Sequence, residues 1–313
     1  MAAVVRDVVR SHVGEMLGAR VIEPPCSPWS SPIGLVKKKN GEVRFCIDFR
    51  RLNDVTVKDV YPLPRLDDVV DSLGAKYVST LDLYRGFWQV PVSPEDRMKT
   101  VCVTADGLYQ FRQMPFGLCN APASFQRMMD TVLARFKWRT CLVYIDDVVV
   151  FSDTFTEHLL RLDEVLTAIG DAGLELQRKK CRFAADSTVY LGYHVYGEGV
   201  SPDPAKVRAM LDFSPPTSVT ELRRFMGVVS FYRPFVRDFA TISHPLTALQ
   251  KKGEEFLLGA EQQAAFGELV SQLCAGPVLA HPDPNAGRAV RESHLLHQSG
   301  VDRGRGEVAL QRS

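Results

Sequence analysis

The sequence predicts an α+β fold for most of the chain, followed by a helical region. Up to about residue 199, apolar runs of strand length alternate with helical periodicity, but not in the strict order of a doubly wound sheet. Beyond that point the apolar spacing is helical, and from about Gly287 the chain is polar, rich in arginine and without sustained periodicity. Four segments are predicted. Residues 1–30 form a helix with an extended leader, and residues 31–198 form a region of strands and helices. Residues 199–284 form a helical region, and residues 285–313 form a disordered tail.

Composition excludes several classes of protein. The chain has 313 residues, of which 45% are apolar and 24% charged, and these values exclude wholesale disorder. Its 38 Lys and Arg balance 37 Asp and Glu, so the net charge alone indicates no partner. No apolar run is long enough for a membrane span, and Arg6, Arg10 and Glu15 interrupt any signal peptide. Seven cysteines without framework spacing suit a reducing interior, so we expect a soluble intracellular protein that is not secreted and has no membrane partner.

The first part of the chain predicts a helix, a hairpin and a second helix. Within the first twenty residues apolar side chains recur at helical spacing, namely Val5, Val8, Val9, Val13, Met16 and Leu17. Prolines between residues 24 and 32 end that helix and impose an extended path. Two strand-like runs in IGLVKKKNGEVRFCIDF meet at Asn40-Gly41, a strong hairpin signal, and RLDDVVDSL at residues 65–73 has helical spacing.

The middle of the chain predicts strands that carry acidic residues. KYVSTLDL is typical of a buried strand that ends in an acid, Asp82, and CLVYIDDVVVF predicts two strands with Asp146 and Asp147 at their turn. The segment SFQRMMDTVLARF predicts a helix with inward Phe125, Met128, Met129, Val132 and Phe136. A later helix has its apolar face at Leu159, Leu162, Val165, Leu166 and Ile169. A short strand is predicted at VYLGYHV.

Two helices are predicted beyond residue 199. The first lies in PDPAKVRAMLDF, with Pro204 near its start. The second has a capping residue, Ser218, with a glutamate three residues later, and is expected to run from Val219 to Phe239.

Two adjacent aspartates between apolar strands have two explanations. A polar hairpin turn is one, because aspartate is frequent in turns. The other is a carboxylate cluster that binds divalent cations, which requires a further acid on a neighbouring strand, and Asp82 is the natural candidate. Together Asp82, Asp146 and Asp147 could hold two ions about 3.5–4 Å apart, the arrangement used in phosphoryl transfer.

Basic residues cluster in three places. Lys37, Lys38 and Lys39, with Arg44 on the partner strand, could fold over a triphosphate, although a lysine run also suits a solvated edge strand. The run Arg178-Lys179-Lys180 with Arg182 forms the second group. The third consists of four arginines, Arg223, Arg224, Arg233 and Arg237. These last two groups could follow a nucleic-acid backbone, and an ordinary amphipathic helix is the alternative for the arginines.

An ordered series of motifs resembles one known family. It includes SPWSSPIGLVKKKNGEVRFCIDFRRLN, VKDVYPLPRLDD, STLDLYRGFWQVPV, QMPFGLCNAPASFQRMMD, CLVYIDDVVVFS, GLELQRKKCRF and YLGYHV. From about Glu23 to Asp283 the chain resembles the reverse transcriptase portion of a gypsy-type LTR-retrotransposon Pol polyprotein. The resemblance implies a right-hand polymerase of fingers, palm and thumb, with a ferredoxin-like palm sheet and a helical thumb. It implies RNA-directed DNA polymerase activity.

The resemblance also assigns roles to individual residues. Asp82, Asp146 and Asp147 match the metal-binding catalytic acids, and Lys180 matches the lysine that protonates the pyrophosphate leaving group. Phe87 matches the aromatic residue that excludes a 2′-hydroxyl. Other matches are those to triphosphate-binding residues (Lys38, Arg44), the nucleotide pocket (Phe116, Gly117), the primer grip (Tyr190, Leu191, Gly192, Tyr193) and the thumb helix (residues 219–239).

The implied cofactors are two Mg²⁺ ions, with Mn²⁺ as a substitute, and the implied partners are an RNA or DNA template-primer and deoxynucleoside triphosphates. After PVLAHPDPNA the family continues into an RNase H domain, but this chain lacks the acidic D-A-S-like box there. RNase H activity is therefore not expected. The alternative to an active polymerase is a catalytically silent, truncated remnant that only binds nucleic acid.

Overall fold

The computed structural model describes residues 3–25, 27–37, 43–71, 73–197, 199–251, 256–275 and 279–280. The chain divides into two compact units, Met1–Leu191 and Gly192–Ser313. The segment boundaries expected near residues 30, 198 and 284 stay predictions, and the expected disordered tail at 285–313 lies outside the described residues.

The first unit contains both sheets that bear on function. Its strands are β1 (Ile22–Glu23), β2 (Ser31–Lys37), β3 (Val43–Ile47), β4 (Tyr77–Asp82), β5 (Cys102–Thr104), β6 (Gly107–Phe111), β7 (Cys141–Tyr144), β8 (Asp147–Ser152), β9 (Arg182–Ala185) and β10 (Ser187–Tyr190). Its helices are α1 (Ala3–Gly18), α2 (Arg50–Val55), α3 (Leu66–Asp71), α4 (Pro94–Arg97), α5 (Ala121–Val132) and α6 (Phe155–Asp171).

A five-stranded sheet, in the order β1-β6-β5-β2-β3, holds the predicted hairpin. β2 and β3 pair antiparallel from Ile33 opposite Ile47 to Lys37 opposite Val43, which confirms the hairpin, while its Asn40-Gly41 turn lies outside the described residues. The predicted N-terminal helix α1 packs on this sheet through Val9, Val13 and Met16. Leu17 was grouped with these residues by its helical spacing but is 37% exposed, because it lies about 100° around the helix from Met16.

A four-stranded antiparallel sheet, in the order β7-β8-β4-β9, confirms the predicted ferredoxin-like arrangement. Its elements follow one another along the chain as β4, α5, β7, β8, α6 and β9. The two helices cover the sheet, and together they bury an apolar core whose members include Phe125, Met129, Val148, Val150, Leu162, Val165 and Ile169.

The structure corrects several details of this region. α5 ends at Val132, so Phe136 lies beyond the helix, although it still packs on the core. On α6 the predicted inward Leu159 is 49% exposed and His158 is fully buried instead, because positions 158, 162, 165 and 169 share the covered face. VYLGYHV forms two strands rather than one, since Leu191 (φ +49°) and Gly192 (φ +85°) adopt left-handed backbone after β10.

His158 joins three strands of the sheet through a buried hydrogen-bond chain. Its Nε2 lies 2.7 Å from Ser79 Oγ on β4, and its Nδ1 lies 3.0 Å from Ser152 Oγ on β8. Ser79 Oγ also accepts from Ala184 N of β9 at 2.9 Å, and Ser152 Oγ donates to Thr154 O at 3.1 Å. Because the Ser152 hydroxyl gives its proton to Thr154 O, Nδ1 carries the proton of a neutral imidazole here, and Nε2 then accepts the proton of Ser79.

Folding stability should depend on the neutrality of His158. Burial, and secondarily the Arg161 charge, lowers the pKa of His158. The contribution of His158 to the free energy of unfolding is then complete above about pH 6.5, the pKa of histidine in the unfolded chain. This contribution is lost as the pH falls toward the lower pKa that His158 has in the folded state. Denaturant unfolding of wild type and His158→Gln should show a stability difference that shrinks from pH 8 to pH 5. The exposed His244→Gln is the control, and a constant difference would contradict this account.

In its described residues, the second unit has one small sheet and four helices. Its elements are β11 (Tyr193–Tyr196), β12 (Gly199–Pro202), β13 (Leu279–Ala280), α7 (Pro204–Leu211), α8 (Val219–Phe231), α9 (Phe239–Ala248) and α10 (Ala260–Cys274). β12 pairs antiparallel with both neighbours, and α10 packs on α7 and α9. Pro204 begins α7 and Ser218 caps α8 by accepting from Glu221 N at 3.2 Å, as predicted.

The helix predicted to continue to Phe239 ends earlier. α8 stops at Phe231, and a 3-10 turn over Arg233–Phe235 contains Pro234. Proline lacks the amide proton that a continuing helix needs, so the chain restarts as α9 at Phe239. None of the helices in the described part of the chain is both long and apolar enough to cross a membrane.

Candidate active site

Three aspartates meet at one end of the ferredoxin-like sheet. Asp82 is the last residue of β4 and pairs directly with Asp147, the first residue of β8. Asp146 precedes it in the two-residue turn that joins β7 to β8. Of the two aspartates predicted in the turn, only Asp146 lies there, because Asp147 already pairs with Tyr144. The register of β4 with β8 therefore brings the three acids to the same end of the sheet, as predicted.

The carboxylates are crowded and partly removed from water. Burial, together with the charges of Asp146 and Asp82, raises the pKa of Asp147 to about 6. Burial also raises the pKa of Asp146, and the Asp82 charge adds to that effect. Both shifts mean that the site disfavours its own negative charge in the absence of a cation.

Lys180 supplies one positive charge at this position. Its Nζ lies 3.1 Å from Oδ1 and 3.0 Å from Oδ2 of Asp82. The backbone fixes this contact, since Gln177 N donates to Asp82 O at 2.8 Å and Lys180 N donates to Gln177 O at 2.8 Å. The predicted leaving-group lysine is therefore placed against the first predicted catalytic acid.

The donor set fits a divalent cation in its chemistry. Three carboxylates offer the hard oxygens that Mg²⁺ and Mn²⁺ prefer, and a cation would offset the repulsion that raises the pKa of Asp147. Within the described residues, no three acidic, imidazole or thiol side chains stand close enough to form an assembled metal site. Here Lys180 holds the Asp82 carboxylate instead.

Neutralising Asp147 should stabilise the metal-free fold. The native state binds a proton more tightly than the unfolded chain, so the Asp147 contribution to the free energy of unfolding falls as the pH rises from about 4 to 6. In EDTA at pH 7.5, the free energy of unfolding of Asp147→Asn should exceed that of wild type by roughly 1–2 kcal/mol. This gain is reduced to allow for the partial solvent exposure of the side chain. The gain should shrink at pH 4.5, and the exposed Asp153→Asn should show none. A variant no more stable than wild type at pH 7.5 would contradict the crowding described above.

Two predicted nucleotide-pocket aromatics lie together beside the acids. Phe87 lies in a 3-10 turn over Gly86–Gln89, with its ring centroid 5.0 Å from that of Phe116 and 5.4 Å from that of Phe125. Phe116 is 54% exposed. Gly86 has φ +31°, a backbone conformation that favours glycine, and a Cβ there would lie 3.2 Å from Asp146 Oδ2, so this turn lies close to the acids.

Of the remaining predicted pocket residues, the structure describes two. Gly117 has φ +100°, a left-handed conformation that suits glycine next to the exposed Phe116. Arg44 lies on β3 opposite Val36. Lys38 lies outside the described residues.

The predicted primer-grip residues divide between the two units. In the first, Tyr190 is buried, and its hydroxyl donates to Asp147 O at 3.2 Å, while burial raises the pKa of Tyr190 well above its ordinary value. Leu191 ends this unit. In the second, Gly192 O accepts from Tyr232 Oη at 2.8 Å, and the buried Tyr193 ring stacks on Phe231.

The four predicted backbone-binding arginines are exposed in the second unit. Arg223 and Arg224 lie on α8. Arg233 begins the 3-10 turn that follows this helix, and Arg237 lies just beyond that turn. Arg237 is tied to α10 by its own amide, which donates to Gln272 Oε1 at 3.0 Å.

One buried polar residue at this site was not predicted from the sequence. Gln126 lies on α5, has no exposed surface and accepts a hydrogen bond from Ile145 N, immediately before the acidic pair. Its sequence signal is a polar residue between Phe125 and Met129 on the covered face of an amphipathic helix.

Comparisons with known proteins agree with this geometry. A family model described as reverse transcriptase (RNA-dependent DNA polymerase) matches residues 36–195, just over half of the chain. The chain belongs to the reverse transcriptase family. Within that family it is 41% identical to the Pol polyprotein of the Drosophila melanogaster transposon opus, and 39% identical to that of gypsy. These matches cover 88% and 79% of the chain, but only 29% and 24% of the polyproteins, so the chain spans less than a third of those relatives.

Solved structures confirm the right-hand polymerase fold expected for a reverse transcriptase. A foamy viral protease-reverse transcriptase in complex with double-stranded DNA has a TM-score of 0.83 at 24% identity, over 89% of this chain and 49% of that chain. The foamy viral enzyme in complex with an RNA/DNA hybrid has a TM-score of 0.79 at 23% identity, over 90% of this chain and 38% of that chain. At this identity the likeness concerns the fold.

Proposed function

We propose that this chain is the polymerase portion of an RNA-directed DNA polymerase that adds deoxynucleotides to a primer 3′ end. The observation that carries the proposal is the direct pairing of Asp82 with Asp147, next to Asp146, at the end of a ferredoxin-like sheet. Burial and the neighbouring carboxylates raise the pKa values of Asp146 and Asp147, and such perturbed acids gathered at one sheet end are typical of a functional site. Family membership gives this cluster its chemistry.

Divalent metal dependence is general in this family. We assign Asp82, Asp146 and Asp147 as the ligands of two Mg²⁺ ions, with Mn²⁺ as a substitute. When bound, such ions activate the primer 3′-hydroxyl and neutralise the charge that develops on the triphosphate and pyrophosphate.

The neighbouring side chains have separate roles in this proposal. Phe87 and Phe116 form one wall of the deoxynucleoside triphosphate pocket, with Phe87 under the sugar. Lys180 Nζ, 3.0 Å from Asp82 Oδ2, holds the proton that the leaving pyrophosphate takes. We assign Lys38 and Arg44 to triphosphate binding on the strength of the family's motif positions alone.

The proposed partner is a template-primer duplex. The foamy viral neighbours were solved with double-stranded DNA and with an RNA/DNA hybrid, and this chain shares their fold. The exposed arginines of α8 and its following turn offer charges for phosphate contacts. We place the residues from Tyr190 to Tyr193 next to the primer end and the protein inside the cell.

Primer extension by the purified chain tests the function. A labelled DNA primer is annealed to an RNA template or to a DNA template of the same sequence, and all four deoxynucleotides are added with Mg²⁺. Template-directed extension on both templates is the expected result. Duplex binding without extension, at enzyme concentrations above the dissociation constant, would replace the proposal with the silent, nucleic-acid-binding remnant.

A further inference from the structure

The turn that presents the acidic pair contains an unfavourable residue. Ile145 is the first residue of the two-residue turn between β7 and β8, and its φ is +56°. Such hairpin turns favour glycine or asparagine where φ is positive, and left-handed backbone is particularly costly for a β-branched side chain. Asp146 and Asp147 follow directly. Their direction therefore depends on a backbone conformation that isoleucine does not adopt on its own.

One buried amide holds both sides of this turn. Gln126 on α5 accepts from Ile145 N through Oε1 at 2.7 Å. Its Nε2 donates to Val143 O at 3.2 Å on the strand that enters the turn, and to Asp130 Oδ1 at 2.8 Å. A fully buried amide with its oxygen and nitrogen both engaged is fixed in orientation.

A second layer of contacts sets which end of the amide faces the turn. The Asp130 carboxylate accepts hydrogen bonds only, so it attracts Nε2 and leaves Oε1 for the Ile145 amide. Asp130 Oδ2 in turn accepts from Tyr61 Oη at 2.7 Å and lies 2.6 Å from Lys137 Nζ. The Tyr61 ring is covered by the Arg127 guanidinium, 4.8 Å from the ring centroid.

We propose that Gln126 is a positioning residue that holds Ile145 in its left-handed conformation and so fixes the two aspartates that follow, with Tyr61 and Asp130 orienting the amide. The consequence for catalysis rests on the proposed polymerase function, whereas the role of Gln126 in holding the backbone at Ile145 does not. A buried glutamine that merely satisfied its own hydrogen bonds would have no energetic link to the residue type at position 145.

A double-variant cycle separates these two roles. Gln126→Met keeps the approximate volume of the side chain and removes its hydrogen bonds. Ile145→Gly removes the left-handed strain, because glycine adopts positive φ readily, although it also loses apolar packing on the core. The coupling between the two changes, rather than either change alone, reports the positioning role.

Three measurements are made on wild type, both single variants and the double variant. They are hydrogen exchange of the backbone amides at residues 145–147, Mn²⁺ affinity in the absence of substrate, and single-nucleotide incorporation. Gln126→Met should speed the exchange and weaken Mn²⁺ binding, each by about tenfold, and lower kcat by about 10–100-fold with little change in KM. In the Ile145→Gly background the same change should cost less than threefold in each measurement.

Equal losses from Gln126→Met in both backgrounds would overturn the inference. If Gln126→Met does not fold, Tyr61→Phe replaces it, since that change removes only the hydroxyl that orients Asp130, and about a threefold effect is expected with the same dependence on residue 145. Exchange and Mn²⁺ binding do not require turnover. If wild type fails to extend primers, these two readouts still decide the role of Gln126.

Discussion

Asp146→Asn is expected to abolish primer extension, with a loss of at least about a thousandfold, and to leave folding and template-primer binding intact. Asp146 lies in the turn beside the paired Asp82 and Asp147, so its carboxylate would help to hold a divalent cation at this sheet end. An amide keeps the shape of this side chain but loses the charge with which it would hold that cation. Single-turnover extension in Mg²⁺ measures the loss, and duplex binding with thermal unfolding verifies the fold.

The control is Asp153→Asn, an exposed aspartate just beyond the far end of β8. It should extend primers at the wild-type rate. Substantial extension by Asp146→Asn in Mg²⁺ would remove this residue from the catalytic set, whereas equal losses in both variants would indicate a general effect of charge.

Phe87→Ala is expected to admit ribonucleotides, with the preference for deoxynucleotides falling by about 10–100-fold. The ring lies in the 3-10 turn that begins four residues after Asp82 and packs on the exposed Phe116. Exclusion of a 2′-hydroxyl by a ring is a steric effect, so removing the ring changes selectivity more than the rate with the correct nucleotide. The measurement is kcat/KM for a matched deoxynucleotide and ribonucleotide pair.

Phe87 also packs on the buried Phe125, so a purely structural role has to be tested at the same time. Phe87→Tyr keeps the ring and should keep the selectivity, while Phe155→Ala removes a half-exposed ring of α6 and should change nothing. If Phe87→Ala loses activity with both nucleotides in the same proportion, Phe87 is a core aromatic and not a selectivity residue.

The strands and the acids were predictable because their signals are local. The apolar runs that end at Asp82 and surround Asp146 and Asp147 predict strands, and the excess of acid at their ends predicts a cluster. The direct pairing of Asp82 with Asp147, and the contact of Lys180 with Asp82, join residues far apart in the chain. No periodicity encodes such a register, so the sequence indicated Asp82 as an acid on a neighbouring strand but predicted neither this pairing nor the Lys180 contact.

Other features depend on packing that a helical pattern does not resolve. Leu159 and His158 are neighbours on α6, and only the position of the sheet decides that the histidine is buried. Gln126 looks like an interruption of an apolar face until the turn it contacts is known. The break before Pro234 was visible in the sequence, but the apolar spacing on both sides favoured one continuous helix.

We expect Asp82, Asp146 and Asp147 to form one site for divalent ions and an incoming nucleotide. Counting bound Mn²⁺ by electron paramagnetic resonance tests it most directly, in a complex of the chain with a dideoxy-terminated primer, its template and the matching deoxynucleotide. Wild type is expected to bind two Mn²⁺ ions per chain saturably, and Asp146→Asn at least one fewer. An identical number of bound ions in the two proteins would contradict it.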